Sequence, residues 1–287
     1  MVAVEIPEVD YTRYSDRQLA ALPLAVLALA IAVIAAWTVL FGAPVELGFE
    51  FTGGTELRVA APGANEAAVQ DAFSVPPESV QSASGNTYIV TFDAEGPSTS
   101  ALADQARQAG YEVRASSSVG ASFGRSTQLL ALGGVGVAFI GMSALVFVMF
   151  RTFVPSVAVV VSAFSDIVIP VAIMNLLGIE LSLGTVAALL MLIGYSVDSD
   201  ILLNNHILRR GGGFYESVHR AMRTGVTMTL TSLSAMIVMT LVATFFGIGL
   251  LAAIGTVLAL GLATDLMNTY MLNLSLLRWY KYEGVAR

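Results

Sequence analysis

A chain of 287 residues that is 56% hydrophobic and only 12% charged excludes a single water-soluble core, since soluble domains are about one-quarter charged. Thirteen arginines and one lysine, Lys281, stand against 21 acidic residues, a net charge of -7 that argues against nucleic-acid partners and suits salt-rich surroundings. There is no cysteine, His206 and His219 are too far apart for a helical ligand pair, and no nucleophile elbow or phosphate loop occurs, so neither metal, cofactor nor enzymatic chemistry is expected.

Residues 1–18 read as a cytoplasmic tail of mixed charge. The apolar run 19–41 exceeds the ~7–15 residues of a signal-peptide core and reads as a retained anchor. Five further runs, 127–150, 156–177, 183–207, 225–246 and 250–277, reach or pass the ~20 residues a helix needs to cross a hydrocarbon layer of about 30 Å. The expected fold class is a polytopic α-helical membrane protein: transmembrane helix 19–41, an outer domain 42–125, a five-helix bundle 126–278 and a cytoplasmic tail 279–287.

Segment 42–125 alternates strand and helix patterns: strand 55–60, helix 64–73, strands 79–84 and 86–92, helix 99–109, strand 111–116. Gly63, Pro76-Pro77, Gly85-Asn86, Gly96-Pro97 and Gly110 punctuate it, with Gly-Asn suited to a hairpin turn. The order βαββαβ predicts a small α+β, ferredoxin-like domain between the first and second spans.

Orientation follows from the cations. Arg151 lies between spans two and three, Arg209, Arg210, Arg220 and Arg223 between four and five, and Arg278, Lys281 and Arg287 after six, which makes those connections cytoplasmic. The tight links 178–182 and 247–249 carry no cation, and segment 42–125 has ten acids against four arginines, as expected of the extracytoplasmic side.

Four carboxylates fall inside apolar runs, each costing about 2.5–3.5 kcal/mol at the bilayer centre. Asp166 on span three, Asp198 and Asp200 on span four and Asp265 on span six lie roughly 13–20 Å from the cytoplasmic ends, near mid-depth. Asp198 and Asp200 point about 200° apart on a helix, so Asp198 shares a face with Asn205 and Asp200 another with Asn204. On span five Arg223, Thr227, Thr231 and Ser234 share a face, a hydroxyl stripe leading inward from the one cation expected inside the bundle. The hydroxyls either bond their own helix for packing or line a hydrated channel with the acids, and acids that alternate between dry and paired surroundings can take up and release protons. Gly133, Gly134, Gly136, Ala138 and Gly141 on span two are expected to permit close helix packing. His206 is an interfacial residue with a weaker claim to proton transfer.

The segment Gly48-Phe49-Glu50-Phe51-Thr52-Gly53-Gly54-Thr55 resembles the G-x-D-F-x-G-G-T signature that opens the extracytoplasmic domain in the SecD/SecF family of protein-export membrane subunits. Ile193-Gly194-Tyr195-Ser196 followed by an acid, and Met222-Arg223-Thr224 with Thr227 and a Thr-Ser-Leu run, resemble the matching motifs of SecF, in an archaeal type, and the resemblance covers essentially the whole chain. It implies membership of the resistance-nodulation-division superfamily, in which two six-span halves form a pseudo-twofold unit. This chain would be one half and a SecD-like subunit the other, set in membrane lipid beside a SecYEG-type translocon and acting on secreted polypeptides with the proton gradient. By motif Arg223 matches the coupling arginine. The family acid would fall at Ser199, whereas here Asp198 and Asp200 flank it, and Val197-Asp198 is similar to SecD. Two other readings stay open: a static scaffold for translocon assembly, and half of a small-molecule or lipid exporter.

Overall fold

Ser15 opens the first long helix with a reciprocal cap: the Gln18 amide donates to Ser15 Oγ, and the Ser15 amide to Gln18 Oε1 at 2.9 Å. The structure, a computed structural model, describes residues 10–83, 85–208 and 213–284. Arg209, Arg210 and Arg287, used above to orient the chain, lie outside the described residues, as does Ser84 at the end of an expected strand.

Helix α1 (Asp16–Phe41) ends at Gly42 and leads through a short α2 (Phe49–Thr52) into the α+β domain: β1 (Gly54–Ala60), α3 (Glu66–Gln70), β2 (Ser79–Ala83), β3 (Thr87–Phe92), α4 (Thr99–Gln108) and β4 (Glu112–Val119). The sheet is antiparallel throughout in the order β2-β3-β1-β4, the ferredoxin-like arrangement, with Leu57 opposite Val90 and Ser116. Gly85 and Asn86, with φ of 72° and 56°, make the left-handed turn that joins β2 to β3. Leu57, Val59, Val69, Val90, Phe92 and Leu102 fill the space between the sheet and its two helices.

Then follow α5 (Ala121–Phe150), α6 (Phe153–Leu177), α7 (Leu183–Leu208), α8 (Phe214–Phe245) and α9 (Gly249–Met267), which continues through a π-helical stretch, Asn268–Asn273, into α10 (Leu274–Trp279) and a last π-helical turn, Tyr280–Gly284. Six of these helical units are long and apolar enough to span a membrane, the sixth being Gly249–Gly284. The helices overrun the apolar runs: α5 starts at Ala121 rather than 127, and α8 at Phe214 rather than 225. Hydropathy marks the part of a helix that suits lipid, and hydrogen bonding continues past it.

Helices α6, α7 and α9 are the interior of the bundle, while α1, α5 and α8 wrap it and turn large apolar side chains such as Leu29, Ile140 and Leu241 outward. The glycine expectation for span two is corrected here: a Cβ added at Gly133, Gly134, Gly136 or Gly141 would meet nothing within 4 Å. Glycines elsewhere do enforce close approach, two of them at the entry to the α+β domain. Gly53 has φ +83°, and a Cβ there would stand 2.6 Å from Ala121 Cα; at Gly54, with φ +136°, it would stand 2.2 Å from the Phe92 carbonyl oxygen.

Two joints fix the bundle. At one end the Gly48 amide donates to the Leu181 carbonyl at 2.9 Å, the Leu181 amide to the Glu46 carbonyl at 2.7 Å, and the Leu183 amide to Glu50 Oε2 at 2.6 Å. At the other, the buried Arg278 donates to Asp16 and to the carbonyls of Tyr11 and Tyr14 at 2.9 and 2.8 Å, clasping the N-terminal turn over the apolar cluster of Leu203, Ile207, Phe214 and Leu277.

Candidate functional site: a carboxylate core inside the bundle

Asp166, Asp200 and Asp265 project into the interior from α6, α7 and α9, and their exposures are 0, 0 and 1%. Each is held by neutral donors. Ser196 Oγ donates to Asp166 Oδ2 at 2.5 Å and Asn268 Nδ2 to Oδ1 at 2.6 Å. Thr269 Oγ1 and Asn273 Nδ2 donate to Asp200 Oδ1 at 2.8 and 2.7 Å. Ser199 Oγ stands 2.8 and 2.9 Å from the two oxygens of Asp265. Among the described residues no ion pair reaches any of the three acids, and no group of three or more acids or histidines is placed to hold a metal ion.

The π-helical stretch makes this possible. Residues five apart diverge by about 140° on an α-helix, whereas i to i+5 hydrogen bonding stacks them, so Asn268 reaches Asp166 on α6 while Asn273 reaches Asp200 on α7.

Asp198 lies on the other side of α7. It is exposed, and with Tyr195, Asn205, Thr229, Ser232 and Asp265 it lines a cleft of about 350 Å³ between α7 and α8. Asp265 therefore closes the carboxylate core and floors the cleft. The two polar stripes expected on span four are present: Asp200 with Asn204 faces inward, Asp198 with Asn205 lines the cleft.

Arg223, Thr227, Thr231 and Ser234 do share a face, but it is the exposed one. Each hydroxyl bonds the carbonyl one turn back: Thr227 to Arg223 and Thr231 to Thr227 at 2.7 Å, Ser234 to Leu230 at 2.8 Å. The expectation of a stripe leading inward from a cation is corrected. Gly225 and Thr229 occupy the buried face of α8, where a Cβ on Gly225 would strike the Tyr270 hydroxyl at 2.2 Å. No ion pair joins Asp198 to Arg223 among the described residues, and the buried arginine is Arg278. His206 is buried, with Nδ1 2.8 Å from the Leu202 carbonyl of its own helix.

Residues 99–283 match the family described as protein export membrane protein SecD/SecF, C-terminal. A relative from Haloferax volcanii, described as protein-export membrane protein SecF, is 69% identical over 288 residues that cover 100% of both chains. The chain belongs to the SecF family. A second SecF from Haloquadratum walsbyi is 68% identical over 291 residues, again covering both chains fully, and one from Methanolacinia petrolearia is 43% identical over 276 residues, covering 96% of this chain and 97% of its own. Two of these relatives are haloarchaeal, in keeping with the acidic, lysine-poor composition. The crystal structure of SecDF, a translocon-associated membrane protein from Thermus thermophilus, shares the fold with a TM-score of 0.71 at 20% identity; the match covers 98% of this chain and 39% of that one.

Of the three segments that carry the SecF likeness, the one on α8 with Arg223 and Thr227 lies on the exposed face described above, and the other two fall at the joint and on α7. Gly48, Phe51, Gly53, Gly54 and Thr55 build the joint: Phe51 is buried against Leu181 and Val186, and Thr55 Oγ1 bonds Ser118 Oγ at 3.3 Å. In the other motif Ser196 points into the core, whereas Gly194 and Tyr195 face outward. Beside the joint, above a cleft of about 470 Å³, Glu180 accepts from Gln81 Nε2 at 3.2 Å. Burial, then the neighbouring Glu46, Glu78 and Glu56, push its carboxyl up to about 7.

Asn268, Thr269, Asn273 and Ser199 were not expected as site residues. Asn268, Thr269 and Asn273 follow Asp265 by three, four and eight positions, but Thr256, Thr264 and Ser275 interrupt the same apolar run, so polarity alone did not single them out.

Proposed function

We propose that this SecF-family subunit promotes polypeptide translocation across the cytoplasmic membrane together with a SecD-like subunit and a SecYEG-type translocon, and that its carboxylate core carries the ion movement that drives the step. It acts as a transport subunit and not as an enzyme. The observation that carries the reading is the set of three buried acids that lack a cationic partner among the described residues, with Asp265 shared between that core and the open cleft. Buried carboxylates held only by neutral donors are stable when they carry a proton or another cation, and a core of this kind is suited to taking up and releasing charge.

The exposed polar face of α7 and α8 supports a second half. Asp198, Arg223, Thr227, Thr231 and Ser234 are exposed on apolar membrane-length helices, where contact of the charged pair with lipid would be costly. A SecD-like chain covering the cleft would remove that cost, with Asp198 and Arg223 as its coupling contacts, while the outer faces of α1 and α5 meet lipid. In the orientation adopted, both termini and the connections holding Arg151, Arg220 and Lys281 are cytoplasmic, and the βαββαβ domain lies outside, where it engages emerging secreted polypeptide.

The test is a late translocation step reconstituted with the partner chain, followed as the ion gradient is collapsed. Stalling supports the reading. Passage that ignores the gradient favours a scaffold.

A further inference from the structure

The chain tethers the α+β domain to the bundle along one side of its sheet. It enters at Gly54 on β1 and leaves at Val119 on β4, with the single residue Gly120 before α5. There α5 crosses α2 so closely that a Cβ on Gly124 would stand 2.8 Å from both the Gly53 amide nitrogen and the Phe51 carbonyl oxygen. Gly53 and Gly54, at φ +83° and +136°, join that crossing to the sheet. In the strand order β2-β3-β1-β4, β2 is the edge farthest from both tethers.

On that far edge Gln81 Nε2 donates to Glu180 Oε1 at 3.2 Å, and on β3 Ile89 Cδ1 lies 3.8 Å from a Cβ added at Gly249. These four residues line the cleft of about 470 Å³, walled on one side by Glu56, Arg58 and Thr91 of the sheet and on the other by Leu250, Ala253 and Thr256 of α9. A sheet tethered at one side and pinned at the other across a cleft is built as a lid.

The pin is a carboxyl group in acidic surroundings. Burial, then Glu46 from the α1–α2 connection, Glu78 from the approach to β2 and Glu56 from β1, raise it to about 7. Arg58 is the cation in the cleft, and Glu56 engages it at 3.3 Å. Glu50 on α2 accepts from the Leu183 amide, and the stretch of α9 in the cleft carries no charge. Glu56 and Glu78 belong to the domain, whereas Glu180 belongs to the link between α6 and α7. Lifting the sheet carries those two carboxylates away and lets water reach Glu180, which favours the ionised acid far more than the neutral one.

We propose that Gln81 and Glu180 form a latch holding the far edge of the sheet on the bundle, and that ionisation of Glu180 releases it to swing about the crossing of α2 and α5. Glu180 lies outside the membrane spans, and none of the three core acids is among the groups that raise it, so the latch operates whether or not the core carries ions.

The chain has no cysteine, so S82C,T244C places spin labels at two exposed positions, on β2 and at the end of α8. The distance between them is read by pulsed electron spin resonance on the full chain in detergent at fixed salt. One short distance is expected at about pH 5, and at about pH 8 a longer population raised at least about tenfold. E180Q, neutral at every pH, should keep the short distance throughout, and Q81A should show the longer population already at about pH 5. Both changes lie at the rim of the cleft and leave the cores of domain and bundle intact. Identical distances at both pH values in the parent overturn the latch. So does a pH-dependent lengthening that persists in E180Q, or a Q81A protein that matches the parent at about pH 5.

Discussion

Ser199 Oγ bridges both oxygens of Asp265, at 2.8 and 2.9 Å, and so ties α7 to α9 at the boundary between the buried core and the outer cleft. Its chain neighbours diverge: Asp198 lines the cleft, and Asp200 faces the core. Replacing Ser199 by Ala leaves Asp265 with Thr269 at 3.3 Å. Removing the donor of a buried acceptor costs about 1–3 kcal/mol, so S199A should lose that much stability in a reversible unfolding titration. Because Asp265 is shared between core and cleft, reporter export should fall with it.

The Arg278 clasp makes a prediction at the other end of the bundle. Its guanidinium meets Asp16 and two backbone carbonyls at once, a fork that a lysine ammonium cannot reproduce. R278A should be destabilised by about 2–3 kcal/mol, and R278K should recover less than half of that. A cysteine at position 11, where Tyr11 is buried, should resist thiol labelling in the parent and react in R278A.

Glu180 gives the joint a pH dependence of known sign. Its carboxyl is raised from an ordinary 4.5 to about 7 in the folded protein. Between these values the folded chain binds more protons than the unfolded one, so stability falls as pH rises from about 4.5 to 7 and is flat above. E180Q should remove that slope. Thermal unfolding of both proteins at fixed salt across this range is the check.

The glycines separate into two groups under substitution. G54A should fail to accumulate, since its φ of +136° and the Phe92 carbonyl 2.2 Å from a new Cβ leave it no remedy. G136A, facing open space on α5, should be neutral or gain up to about 1 kcal/mol in melting experiments on the isolated chain.

Six spans and a βαββαβ insertion were legible because lipid and strand pairing each leave a simple period: long apolar runs for the one, alternation punctuated by Gly-Asn and Gly-Pro pairs for the other. Helix ends were not, since α5 and α8 continue through polar residues. The two faces of span four followed from helical geometry, which assigned Asp200 with Asn204 and Asp198 with Asn205 correctly. Periodicity could not say which face of α8 is buried. Its hydroxyl stripe and its Gly225 face are both compatible with a membrane helix, and packing against Tyr270 decides between them. The π-helical turn that brings Asn268 and Asn273 to separate acids leaves no sequence period of its own, which is why the donors of the core emerged only in three dimensions.

The central claim is that the buried acids carry charge in support of export. The most direct measurement is secretion of a reporter by cells whose sole copy of this subunit is D265N or D200N, with membrane levels matched to the parent. The account predicts that both variants lose most of the accelerated secretion while still assembling with the partner chain. Secretion at the parental rate from a properly assembled D265N, D200N double variant would contradict it.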